Sequence, residues 1–231
     1  MKKSGTIPCP TRKQTANGLL YLAFQFLLLP SLLTFVNSQM EAPLSSAELN
    51  FTFYLINFIA MLVIFFDFLG SNARQAIQHP VLFLQTVILG LVGYFACTQA
   101  LTWAIETLLP TYANYNDQSI AAMSRSNFFL MTIGTVILVP PYEECIYRGL
   151  IFRNLYGKSR ILAYAVSMLA FAAIHIVGYI GTYTPTELTL AILQYLPAGL
   201  LLAWSYAKAN TLFAPITIHA IINFISIHRI G

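Results

Sequence analysis

The stretch "NFFLMTIGTVILVPPYEECIYRGLIFRNL", residues 127–155, is long and apolar enough to cross a membrane, yet it carries Glu143, Glu144 and Arg148 near its middle. A span needs ~20 predominantly apolar residues to cross a ~30 Å hydrocarbon core. Six further apolar runs flank this one, at 18–36, 51–69, 81–109, 161–180, 188–207 and 211–228. Of the 231 residues, 58% are hydrophobic and 9% are charged, with a mean hydropathy of +0.70. Soluble domains carry about a quarter charged residues. The expected fold is all-α, a polytopic membrane bundle of about seven transmembrane helices, six to eight depending on whether Pro30 or Pro197 breaks a run. Residues 1–231 form a single integral membrane domain in this reading, with no room for a separate soluble one.

The net charge of +4 reports orientation rather than a nucleic-acid partner, because the basic residues sit in loops and tails beside the apolar runs. With the N-terminus in the cytoplasm, Lys2, Lys3, Arg12, Lys13, Arg74, Arg153, Lys158, Arg160 and Lys208 fall inside, against Arg125 and Arg229 outside. The acids Glu41, Glu48, Asp117 and Glu187 then fall in outer loops. The first run reads as a retained helix, since its apolar stretch is too long for a signal peptide and no small-residue cleavage site follows. Cys9, Cys97 and Cys145 lack CxxC spacing and imply neither a disulfide framework nor a cysteine metal knuckle. Nothing in the sequence specifies an oligomeric state.

Ionisable groups inside a membrane cost several kcal/mol each, so each needs a reason. Glu144 and Arg148 are four apart and share a helix face, where an ion pair neutralises both. Glu143 lies about 100° further round and has no local cation left. His175 in "SMLAFAAIHI" and His219 in "APITIHAIINFI" are the candidate partners, with Phe171 one turn before His175 and Asn223 one turn after His219. Glu144 and His175 are equidistant from the turn-like "GKSR" at 157–160. A hairpin there brings them to one level, roughly 20 Å from the turn at 1.5 Å per residue. His219 stands ~15 Å beyond the turn at Lys208–Asn210, a few ångströms out of register. We expect Glu143, His175, His219 and Asn223 to line one cavity open towards the cytoplasm.

A carboxylate held against a histidine in a dry cavity is a stronger base than one in water and takes a proton from water. A second histidine and an amide then stabilise the oxyanion formed when that water adds to a peptide carbonyl. No serine or cysteine nucleophile is required: Ser167 is two turns from His175, and Cys145 faces away from Glu144 and Arg148. Buried Glu and His also build proton relays in small transporters, which would show broken helices at mid-depth in both halves of the chain.

At these residues the chain resembles the CAAX protease and bacteriocin-processing (CPBP) family of intramembrane endopeptidases, also described as Abi or type II CAAX prenyl endopeptidase-like. "EECIYRG" matches the family's EExxxR motif, "FAAIH" its FxxxH and "HAIIN" its HxxxN, in the family's order. The resemblance covers residues 127–228 as a catalytic core, and the N-terminal half matches only in being membrane-spanning. It implies that Glu143 activates water with His175 as its partner, and that His219 and Asn223 stabilise the oxyanion. Glu144, Arg148 and Phe171 are then supporting residues. No cofactor is favoured; the alternative the family offers is a zinc site on Glu143, His175 and His219, against which stand the absence of HExxH and the poor ligand quality of Asn. The implied substrate is a peptide or a membrane-protein segment, and the compact length points to a bacterial cell membrane. A member that keeps the fold as a non-catalytic partner or immunity protein would be expected to lose Glu143 or His175, and both are present.

Overall fold

The computed structural model describes residues 7–230, so Lys2 and Lys3 of the basic N-terminus lie outside the described residues. Among the described residues there are nine helices and no strands. They are α1 (Arg12–Leu27), α2 (Leu29–Ser38), α3 (Ser46–Gln78), α4 (Pro80–Leu108), α5 (Tyr115–Ser126), α6 (Phe128–Tyr156), α7 (Arg160–Ile176), α8 (Pro185–Ala209) and α9 (Phe213–Ile230). Five of them (α3, α4, α6, α7 and α8) are long and apolar enough to span a membrane, and α1 with α2 makes a sixth if that bent pair is one span. The seventh apolar run folds as α9. The chain is a multi-pass membrane protein.

Local chemistry explains the boundaries. Thr11, Ser45 and Thr184 each cap a helix and are answered by Gln14, Glu48 and Glu187 three residues on, so two orphan backbone donors are satisfied at the start of α1, α3 and α8. Pro30 stands in the first turn of α2, where its missing N–H costs nothing, and the chain bends by 46° between α1 and α2. Pro197 lies inside α8 without ending it. The left-handed residue Asn210 (φ 55°) closes α8.

One helix is central. The apolar window of α6 is 61% buried, against 17–33% in the other four spans, because α1, α3, α7, α8 and α9 all pack against it. Its neighbours therefore screen it from lipid, which is what allows it to carry charge. Phe65 and Phe68 of α3, Ile146 and Phe152 of α6, and Tyr206 of α8 fill the core around it.

The Gly157–Ser159 turn, Arg74, Lys208 and the N-terminal segment share one end of the bundle. There Arg153 donates to the Ile7 carbonyl at 3.0 Å and Tyr206 donates to the Pro8 carbonyl at 2.9 Å. The opposite end carries α5 and the acids Glu48, Asp117 and Glu187.

Helices α7 and α8 pack against each other, and both bury small residues, Ala163 and Ala172 on α7 and Ala198, Gly199 and Ala203 on α8. A Cβ on Gly199 would stand 3.0 Å from Met168 Cα and 3.1 Å from its carbonyl oxygen, atoms that cannot swing aside. Gly199→Ala is therefore expected to push α7 and α8 apart and destabilise the protein by ~1–3 kcal/mol. Thermal unfolding in detergent checks this, and an unchanged melting temperature would contradict the close packing.

Candidate active site

The irregularity of α6 is where the site begins. Pro140 and Pro141 lack the N–H groups that would close α-helical bonds to Val136 and Ile137. The helix widens to i→i+5 bonding over Ile133–Leu138, just before them, and again over Cys145–Phe152, just after the glutamates. Glu143 and Glu144 thus occupy a short α-helical turn between two π-helical stretches, a kind of irregularity frequent at functional sites. A π turn rises less per residue, so Glu144 stands nearer the Gly157–Ser159 turn than an ideal helix would put it.

All three expected motifs meet. His219 Nδ1 lies 2.9 Å from Glu144 Oε1, and the same oxygen accepts from Arg148 Nη1 at 3.1 Å. Arg148 also donates to the Gly199 carbonyl at 3.2 Å, and its guanidinium lies 4.6 Å from the centre of the Phe171 ring. Arg148 and Glu144 are fully buried. The expected supporting trio is therefore in contact, and Phe171 does more than fill space: it carries the cation on its face and touches both His175 and His219 edge-on or tilted.

Glu143 has a different setting. Its Oε1 accepts from the Tyr142 hydroxyl at 3.3 Å, its Oε2 lies 4.0 Å from His219 Nε2, and that Oε2 meets no hydrogen-bond donor among the described residues. The nearer histidine is His219 rather than His175. His175 Nδ1 is 2.8 Å from the Phe171 carbonyl, and its ring stacks on Tyr195 at 4.2 Å between centres. Asn223 donates to the Thr135 carbonyl at 2.8 Å. Ser167 is committed to the Tyr147 carbonyl at 2.9 Å and Cys145 is buried in the core, so neither lies in the cavity.

Glu143, His175, His219 and Asn223 line one cavity of about 410 Å³. Its remaining wall comes from Phe53, Tyr54 and Tyr94, and from Asn114, Asp117 and Tyr195 at the α5 end. The cavity thus runs towards the acid-bearing end of the bundle, away from the basic end. The lining separates two expectations, a cavity open towards the cytoplasm and a basic end that faces it. If the basic end faces the cytoplasm, the hollow faces the other way. Charge bias reports which helix ends are inside, and carries no information on where a bundle is hollow.

No three His, Cys, Asp or Glu side chains among the described residues converge as a metal site requires. Glu143 Oε2 and His219 Nε2 stand 4.0 Å apart, and His175 does not join them in a three-residue group.

A family model for Type II CAAX prenyl endopeptidase Rce1-like proteins matches residues 125–225, a segment that contains all three motifs. Residues 125–225 form an Rce1-like domain. The resemblance read from the motifs is borne out. The chain is also 28% identical to UPF0177 protein YbdJ of Lactococcus lactis subsp. lactis over 166 residues, 72% of this chain. It spans 59% of the length of that curated relative. No solved structure matches the chain at a significant level.

Two residues that shape the Rce1-like site belong to no motif. Asn72 on α3 is fully buried and holds the α8–α9 turn, its Oδ1 accepting from Leu212 N and its carbonyl from Thr211, both at 2.7 Å. It thereby sets where α9, and hence His219, begins. Tyr195 is the other: its ring faces His175 and its hydroxyl reaches α5. Neither stands out in the sequence: Asn72 falls beyond the apolar run at 51–69, and Tyr195 is one aromatic residue within the run at 188–207.

Proposed function

We propose that the chain is an intramembrane endopeptidase in which water, activated by Glu143, attacks a peptide carbonyl directly. The observation that carries this is the division of hydrogen-bonding roles at the cavity. A carbonyl oxygen only accepts, so His175 Nδ1 carries its proton towards Phe171 and leaves Nε2 as an acceptor. Glu143 Oε2 is a second acceptor without a donor among the described residues. Water has two protons to give, and two acceptors on adjacent helices of one cavity suit it. Glu143 removes one proton as the oxygen adds to the carbonyl, then returns it to the departing amine.

Glu144 anchors His219 through Nδ1, so Nε2 faces Glu143 and, when protonated, donates to the oxyanion. Asn223 gives one amide proton to Thr135 and keeps one for the same oxyanion. The reaction so proposed uses no metal. The substrate is a peptide or a membrane-protein segment that reaches the cavity within the bilayer. With the N-terminus in the cytoplasm of a bacterial cell, the cavity lies on the outer half of the membrane.

The transporter reading loses its support at α1–α2. That pair is bent, but it contributes no residue to the cavity, whose glutamate and histidines sit on α6, α7 and α9. The test is cleavage of fluorogenic peptides by purified protein in detergent, with and without exhaustive chelation. Cleavage is expected to persist under chelation. Its loss, with recovery on adding zinc, would overturn the metal-free mechanism.

A further inference from the structure

We propose that Asp117 forms a second subsite of the cavity, which receives a cationic side chain of the peptide two or three residues from the bond that is cut. The inference rests on the endopeptidase reading and adds the substrate class.

The sign of the cavity is the first observation. Its lining holds two carboxylates, Glu143 and Asp117, and no Lys or Arg. Arg148 lies deeper, neutralised by Glu144. Asp117 itself forms no ion pair among the described residues, and the cations on its face of the bundle, Arg125 and Arg229, do not reach it. A negative cavity with low-dielectric walls favours a cation over a neutral or acidic group.

The second observation is that the subsite is built and held. The segment before α5 is tied to α8: Tyr112 and Asn114 both donate to Gln194 Oε1, at 2.9 and 2.8 Å, and Asn116 donates to the Tyr195 hydroxyl at 3.1 Å. Asn114 Oδ1 caps the first turn of α5, where Asp117 stands. The Tyr195 hydroxyl in turn donates to Asp117 Oδ1 at 3.3 Å. One carboxylate oxygen is thus oriented by Tyr195 while the group as a whole stays accessible.

Tyr195 also supplies the ruler. Its ring stacks on His175 and its hydroxyl touches Asp117, so one tyrosine side chain separates the carboxylate from the imidazole. An extended peptide advances ~3.3–3.6 Å per residue, which makes that separation two or three residues.

The experiment uses a peptide mixture randomised in sequence, incubated with the wild type, Asp117→Asn and Asp117→Lys, with the new ends read by mass spectrometry. Asp117→Asn keeps an Oδ1 to accept from Tyr195, so it removes charge without removing the contact. The wild type is expected to enrich Lys or Arg about tenfold or more at one position two or three residues from the cut. Asp117→Asn is expected to lose that enrichment and Asp117→Lys to favour Asp or Glu instead. Where the wild type cleaves, cuts without enrichment, or the same enrichment in Asp117→Asn, overturn the subsite.

Binding separates this from the catalytic reading. In the Glu143→Gln background, labelled lysine peptides are compared with their norleucine counterparts, with and without Asp117→Asn. Charge-selective binding that needs Asp117, with no cleavage by the wild type, sustains the subsite and overturns the protease reading. Cleavage without selectivity does the reverse, and failure of both measurements overturns both.

Discussion

Replacing Glu143 with glutamine is expected to lower peptide cleavage about a hundredfold or more while the protein folds and melts as before. Glutamine has nearly the same volume and keeps an oxygen to accept from Tyr142. Its new NH2 replaces Oε2, which accepts no hydrogen bond among the described residues, so the exchange breaks none. What disappears is the base. The measurement is the cleavage rate of purified wild type and variant, paired with thermal unfolding. Full activity of the variant, in a preparation free of contaminating protease, would return the diglutamate to a packing or partner-binding role.

Arg148→Ala is expected to act mainly on stability. Arg148 is fully buried and serves three groups at once: the Glu144 carboxylate, the Gly199 carbonyl and the Phe171 face. Its removal leaves a buried carboxylate with His219 as its one remaining partner, at a cost of about 3 kcal/mol or more. Lysine would not repair this, since a single ammonium cannot reproduce the planar fork that reaches Glu144 and Gly199 together. A double variant, Glu144→Gln with Arg148→Met, removes both charges and is expected to recover much of the lost stability. It is not expected to recover activity, because His219 Nδ1 then faces an amide rather than the carboxylate that fixes its orientation. Thermal unfolding and cleavage rate together check this, and an unchanged melting temperature for Arg148→Ala would show that the pair does not hold the bundle.

Much of the site was legible because charge inside a membrane is expensive. Glu143, Glu144, Arg148, His175 and His219 stand out against hydrocarbon, and the four-residue spacings alone put Arg148 near Glu144 and Phe171 near His175. The contact between His219 and Glu144 was not legible. It depends on how far two π-helical stretches turn α6, and on where Asn72 lets α9 begin, and neither leaves a trace in hydropathy. Asp117 and Tyr195 were passed over for a related reason. In an outer loop Asp117 looks like an ordinary solvated acid, and Tyr195 in α8 looks like an ordinary aromatic wall residue. Their meaning lies in being folded back over His175. The helix count shows the same limit, since Pro30 bends its run and Pro197 does not, and only packing tells the two apart.

The interrupted α6 has one more consequence, for how the sequence can vary. Where a regular helix is set by side-chain identity at each position, the azimuth of Glu143 and Glu144 depends on how many residues the turns at Ile133–Leu138 and Cys145–Phe152 contain. Removing a single residue from the short α-helical turn between them, Val139–Glu144, would swing everything beyond it by about 100°. Exchanging one apolar residue for another there leaves the rotation untouched. The segment is therefore a place where the chain tolerates spelling changes and not changes of length.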